Sequence, residues 1–154
     1  YTGSTSADML KGLVTFSIIG HSERRRYFHE TSQDVTNKAA EALDAGITPI
    51  ICVDKSYAMS QLTALNGIDG EDFIIAYSPI DDRAYRDPEP KDIVEEAVKF
   101  ISGISPNYPV IYGGAITSRN AGEYSRITGV SGLFVGEASL DPASFHQICC
   151  ASGS

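Results

Sequence analysis

Short apolar runs alternate with amphipathic stretches along the whole chain. The runs are Phe16 to Gly20, Thr48 to Val53, Phe73 to Tyr77, Val110 to Tyr112 and Leu133 to Val135. Apolar runs this short, rich in Ile and Val and closed by Gly or a polar residue, read as buried strands. Between them the apolar positions return at helical spacing. Val35, Ala39, Ala42 and Leu43 share one face of a helix over Asp34 to Ala45, with Gly46 as its stop. Ile93, Ala97, Phe100 and Ile101 make Asp92 to Ile101 strongly amphipathic. Ser6 caps a short helix reaching Lys11, Lys55 to Leu65 is a weaker helix, and Asn120 to Ile127 is helical. Asp141 and Pro142 open a last helix that ends near Cys150. Residues 66–70 (Asn-Gly-Ile-Asp-Gly) form a turn cluster, and Asp81 to Pro90 is a polar loop rich in Asp, Arg and Pro.

Strand and helix therefore alternate five times. Strands that are apolar on both faces and separated by helices predict a parallel sheet of the α/β class. No Gly-x-Gly-x-x-Gly turn follows a strand, which removes the dinucleotide-binding reading. A (β/α) barrel fits better, yet a closed one takes about 250 residues. The expectation is one partial barrel domain over residues 1–154, with about five βα units.

Composition narrows the partners. The formal net charge is -8, against a nucleic-acid or anionic-membrane surface. No apolar run approaches the roughly 18 residues of a membrane span, and no N-terminal signal pattern is visible. The chain starts with Tyr1 rather than Met. Cys52, Cys149 and Cys150 are an odd set without framework spacing, which suggests free thiols in a reducing, cytoplasmic setting. Metal ligation finds no support: His21-x-Glu23 has the start of a zinc-deaminase motif, but the Pro-Cys-x-x-Cys half is missing. No cofactor is expected.

The stretch that organises the rest is Phe16 to Arg25 (Phe-Ser-Ile-Ile-Gly-His-Ser-Glu-Arg-Arg). A strand ends at Gly20 and a polar run begins at once, so His21, Ser22 and Glu23 fall at a strand's C-terminal end, where parallel α/β folds build their sites. This run resembles the I-x-G-H-S-E-R-R signature of the triosephosphate isomerase family. Tyr1-Thr2-Gly3, Pro49 to Cys52, Ile75 to Tyr77, Tyr112 to Gly114 and Phe134 to Leu140 match further landmarks in order and spacing. The chain is similar to about the C-terminal five-eighths of that barrel. The resemblance implies self-association, since Tyr-Thr-Gly ends the family's loop into a partner subunit.

The resemblance also implies a chemistry, which is not read from this chain's own pattern. The family moves a proton between adjacent carbons of a triose phosphate, with a carboxylate base, a neutral imidazole, a cation and a phosphate cradle. His21 matches the electrophilic imidazole. Glu23 matches the carboxylate that supports a lysine, but the family's Asn-x-Lys has no counterpart in this sequence. Arg24 and Arg25 match largely structural residues. Ser78 stands where the family has the basic glutamate of Ala-Tyr-Glu-Pro. A serine hydroxyl is not basic enough to take a carbon-bound proton near pH 7. Asp81 and Asp82, three and four residues further on, belong to a loop without the geometry to replace it. The family's apolar closing loop is here Pro79 to Arg86, carrying Asp81, Asp82, Arg83 and Arg86. Gly113, Gly114 and Gly136 of the phosphate cradle are kept, Ala115 replaces a serine and Glu137 replaces a glycine. Glu137 repels a phosphate dianion or occupies its place, or serves simply as a dipole partner at a helix start.

Three functions are expected from these readings. The first is a family member with weak or lost isomerase activity on triose phosphates. The second is a non-catalytic protein that binds a small anion or a partner on the same face. The third is a partial barrel that completes itself with another copy.

Overall fold

In the computed structural model, which describes residues 2–68, 72–80 and 86–153, every strand is parallel to its neighbours. Tyr1, Asp69 and Gly70 of the turn cluster, and residues 81–85 of the charged loop with Asp81 and Asp82, lie outside the described residues. In chain order the elements are α1 (Ala7–Leu10), β1 (Phe16–Ile19), α2 (Ser22–Phe28), α3 (Ser32–Asp44), β2 (Thr48–Val53), α4 (Ala58–Leu65) and β3 (Ile74–Tyr77). Then come α5 (Lys91–Ile104), β4 (Val110–Tyr112), α6 (Ala121–Tyr124), β5 (Val130–Leu133), a 3-10 turn (Glu137–Ser139) and α7 (Pro142–Ser152). The sheet order is β1-β2-β3-β4-β5, each strand beside its successor, as in a (β/α) barrel that stops short of closure.

Register divides the strands into two faces. Ile19, Ile51, Ile75, Val110 and Tyr112 point to the helices and join Val35, Leu62, Val94, Val98 and Ile101 in the buried core. The opposite face carries the aligned row Ile18, Ile50 and Ile74. That row is less covered: Ile50 and Ile74 are half-buried, while Phe16 and Ile18 of β1 are 53% and 54% exposed. The expectation of strands covered on both faces therefore fails at β1, which stands at the edge of the sheet among the described residues.

Local chemistry accounts for the helix bounds. Thr31 and Asp34 form a reciprocal capping box, so α3 begins two residues before the expected Asp34. Asp141 caps α7 by accepting the Ser144 N–H, with Pro142 in the first turn. Two expectations need correction, and one element was not expected at all. The polar run after Gly20, where no helix was expected, is helix α2. It lacks an apolar stripe and is packed instead by cations over rings, Arg24 on Phe28 at 4.2 Å and Arg25 on Tyr57 at 4.4 Å. The last strand is β5 (Val130–Leu133), earlier than Leu133 to Val135, because a register irregularity at Val110/Ile111 shifts its pairing. The helix expected over Asn120 to Ile127 is only α6 (Ala121–Tyr124).

Candidate functional site

The backbone ladder continues one step past β3, β4 and β5 and sets the floor of the site. Ser78 N–H donates to the Val53 carbonyl at 2.9 Å, Gly113 N–H to Tyr77 at 2.9 Å and Phe134 N–H to Tyr112 at 2.8 Å. These three residues, with His21, ring one cavity of about 540 Å³ at the C-terminal ends of the strands. Pro79, Arg86, Ala115, Ile116, Thr117, Gly136, Glu137 and Ala138 complete its lining.

His21 is fixed from two sides. It is the N-cap of α2, and its Nδ1 accepts the Glu23 N–H at 3.4 Å. With Nδ1 accepting, the neutral ring carries its proton on Nε2. In that tautomer Nε2 can donate but not accept, which argues against Ser78 and His21 acting as a nucleophile pair. On the strand side, Gly20 holds a left-handed turn (φ 72°), and its carbonyl accepts from Arg25 Nε at 2.9 Å. Arg25 is held by Gln61 Oε1 at 2.8 Å, and Gln61, fully buried, donates onward to Ser32 and Thr36.

The segments around the cavity are anchored as tightly. Asn120 accepts the Thr117 N–H at 2.8 Å and donates to the Ala115 carbonyl at 3.0 Å, which shapes the loop 115–117. Ala115 there holds φ 43°, a strained value for a residue with a Cβ. Past Arg86, three tyrosines grip Glu89 by three different groups. Tyr77 donates to its carboxylate at 2.7 Å, Tyr112 accepts its N–H at 3.1 Å and Tyr124 donates to its carbonyl at 2.6 Å. Burial, reinforced by the Glu89 carboxylate, pushes the Tyr77 phenol far above its ordinary range and keeps it a donor. At the other end of this loop the buried Asp54 carboxylate accepts the Ile80 N–H at 3.1 Å.

Five of the seven candidate residues therefore share one cavity: His21, Ser78, Ala115, Gly136 and Glu137. Glu23 does not line it; its side chain is exposed on α2 and its part is the backbone N–H given to His21. Gly114 is buried just behind it, where an added Cβ would run into the Tyr112 hydroxyl. Thr117, Phe134 and Asn120 were missed, and nothing in their local pattern marks them. Arg86 was visible only as one charge of the altered loop. Among the described residues no cluster of His, Cys, Asp or Glu could hold a metal ion.

The comparisons with known proteins bear on the whole arrangement. The family model for triosephosphate isomerase matches residues 1–152. The chain belongs to the triosephosphate isomerase family. A triosephosphate isomerase of Dehalococcoides mccartyi is 36% identical over 170 residues, covering 97% of this chain and 68% of that protein. One of Streptococcus thermophilus is 36% identical over 172 residues, covering 94% of this chain and 68% of its own length. One of a Synechococcus species is 35% identical over 167 residues, covering 96% and 65%. The chain spans about two thirds of the length of these relatives, in keeping with its five strands against the eight of a closed barrel. No helix among the described residues is long and apolar enough to cross a membrane.

Proposed function

We propose that the cavity is a small-anion site of the triosephosphate isomerase type, in which isomerase turnover on triose phosphates is very weak or lost. One observation supports the reading: His21 and Ser78, which the family resemblance matches to the imidazole and the base position, line the same cavity. His21, donating from Nε2, would polarise a ligand carbonyl. Ser78, in a buried position, can hydrogen-bond a ligand but cannot remove its carbon-bound proton. A positioned general base contributes roughly 10²–10⁴-fold, and that factor is forfeited. Backbone N–H groups of the loops holding Ala115 and Gly136 would meet the anion.

A coupled assay on glyceraldehyde 3-phosphate tests this. The expected turnover lies at least about 10²-fold under the roughly 10 s⁻¹ of a typical enzyme. Ser78→Glu alone should restore little, because no lysine of the family's Asn-x-Lys is supplied. Turnover in the ordinary range for the unaltered chain would overturn the proposal.

A further inference from the structure

Arg86 and Glu137 line the same cavity, and no ion pair joins them. Neither has a side-chain partner among the described residues. Among the described residues, the cavity thus presents one cation and one carboxylate, with the Ser78 and Thr117 hydroxyls and the His21 ring between strand ends. A doubly charged anion entering here meets Glu137 as a like charge, on a chain whose formal net charge is -8. A ligand with charges of both signs meets no such opposition, and each of its charges finds an unengaged partner. A cavity of about 540 Å³ suits a small molecule of this kind.

We propose that the cavity takes a small zwitterion, whose anionic group meets Arg86 and whose ammonium group meets Glu137. This rests on the small-anion reading above and narrows it to anions that also carry an amine. The hydroxyls and the His21 N–H then serve the uncharged middle of the ligand.

Calorimetry on the 154-residue chain, with three probes, decides it. O-phosphoethanolamine carries both charges, glycerol 3-phosphate carries only the anion, and ethanolamine carries only the cation. O-phosphoethanolamine should bind about tenfold more tightly than glycerol 3-phosphate, the worth of one hydrogen bond between charged groups. Ethanolamine should be the weakest of the three. Glu137→Gln should erase the preference, weakening the first probe and strengthening the second. Arg86→Gln should weaken both phosphates. Glycerol 3-phosphate binding as tightly as O-phosphoethanolamine would overturn the zwitterion while leaving the small-anion site standing. Preference surviving Glu137→Gln would overturn it too. Binding of neither phosphate would remove both proposals. The comparison of probes on the unaltered chain needs no variant, so it stands even where a substitution disturbs folding.

Discussion

His21 and Phe134 follow strands at opposite edges of the sheet, yet their ring centroids lie 6.2 Å apart. A flat sheet of five strands would separate β1 from β5 by about 19 Å. The sheet therefore curls until side chains from its two edges meet at the mouth of the cavity. Gly113 permits this: a Cβ there would stand 2.6 Å from Phe134 Cδ1. Phe134→Ala should open the mouth and cost about 1–3 kcal/mol, less than a fully buried ring because Phe134 is half-exposed. Urea unfolding gives the loss. An unchanged midpoint would mean that the two edges do not support each other.

Gly20 places His21, and its conformation leaves no room for a side chain. With φ at 72°, an added Cβ would stand 2.8 Å from Val35 Cγ2 and 2.9 Å from Arg25 Nη2. Left-handed backbone costs an L-residue about 1–2 kcal/mol, and overpacking about 1–3 more. Gly20→Ala should thus destabilise by roughly 2–4 kcal/mol and weaken phosphate binding, since the Arg25 contact to the Gly20 carbonyl is disturbed. A variant with native stability would show that Val35 and Arg25 yield freely.

Much of this was legible in the sequence, for identifiable reasons. The β2 bounds and the caps at Ser6 and Asp141 follow from apolar runs and side-chain oxygens at fixed offsets, which are local signals. Helix α2 was not legible, because it carries no apolar stripe and is held instead by contacts of Arg24 and Arg25 with Phe28, Tyr57 and Gln61. His21 and Ser78 stood out through the family motif. Phe134 and Thr117 did not, since they reach the cavity only once the sheet curls and the loop 115–117 forms, and Asn120 did not, since it acts only by holding that loop. Likewise, the pairing of β5 depends on a register irregularity that no single-strand pattern encodes.

Glu30 makes stability depend on pH in a predictable direction. Burial raises its carboxyl, but the hydrogen bonds from Lys38 and Arg24 outweigh it and hold the group below the ordinary carboxylate range. A folded value under the unfolded one stabilises above the ordinary value and fades as pH falls through the lowered one. Glu30→Gln should lower the urea midpoint at pH 7, and the gap from the unaltered chain should shrink steadily as pH falls through the acid range. A gap independent of pH would contradict the sign.

The three cysteines should separate by reactivity. Burial pushes the Cys52 thiol up to about 12, although Arg25 pulls it the other way, so almost no thiolate exists near pH 8. Cys149 and Cys150 are exposed on α7. Iodoacetamide at pH 8 should label Cys149 and Cys150 in the native chain and reach Cys52 only after denaturant is added, as peptide mass spectrometry would show. Equal native labelling of Cys52 would mean that the sheet opens readily around it.

The remaining exposed surface bears on assembly. Curling brings the two edges together at the mouth, but it does not cover the inner row of the sheet. Ile18, Ile50 and Ile74 line up across three strands, and Phe16 and Ile18 are more than half exposed. Met9, Leu13 and Val14, which precede β1 in the chain, are exposed apolar residues as well. Among the described residues β1 has no neighbour on one side and so offers unpaired backbone groups, and large exposed apolar patches are rare on a soluble monomer. The free 154-residue chain should therefore self-associate, most simply as a twofold dimer that packs the β1 faces together. Light scattering at micromolar concentration should give a mass of at least twice 16.5 kDa. Ile18→Lys, which sets a charge at the exposed β1 end of the row, should shift the population to monomer without touching the helix-facing core. A cooperatively unfolding monomer for the unaltered chain would sink the idea, and would mean that the curl seen between His21 and Phe134 protects the inner face well enough by itself.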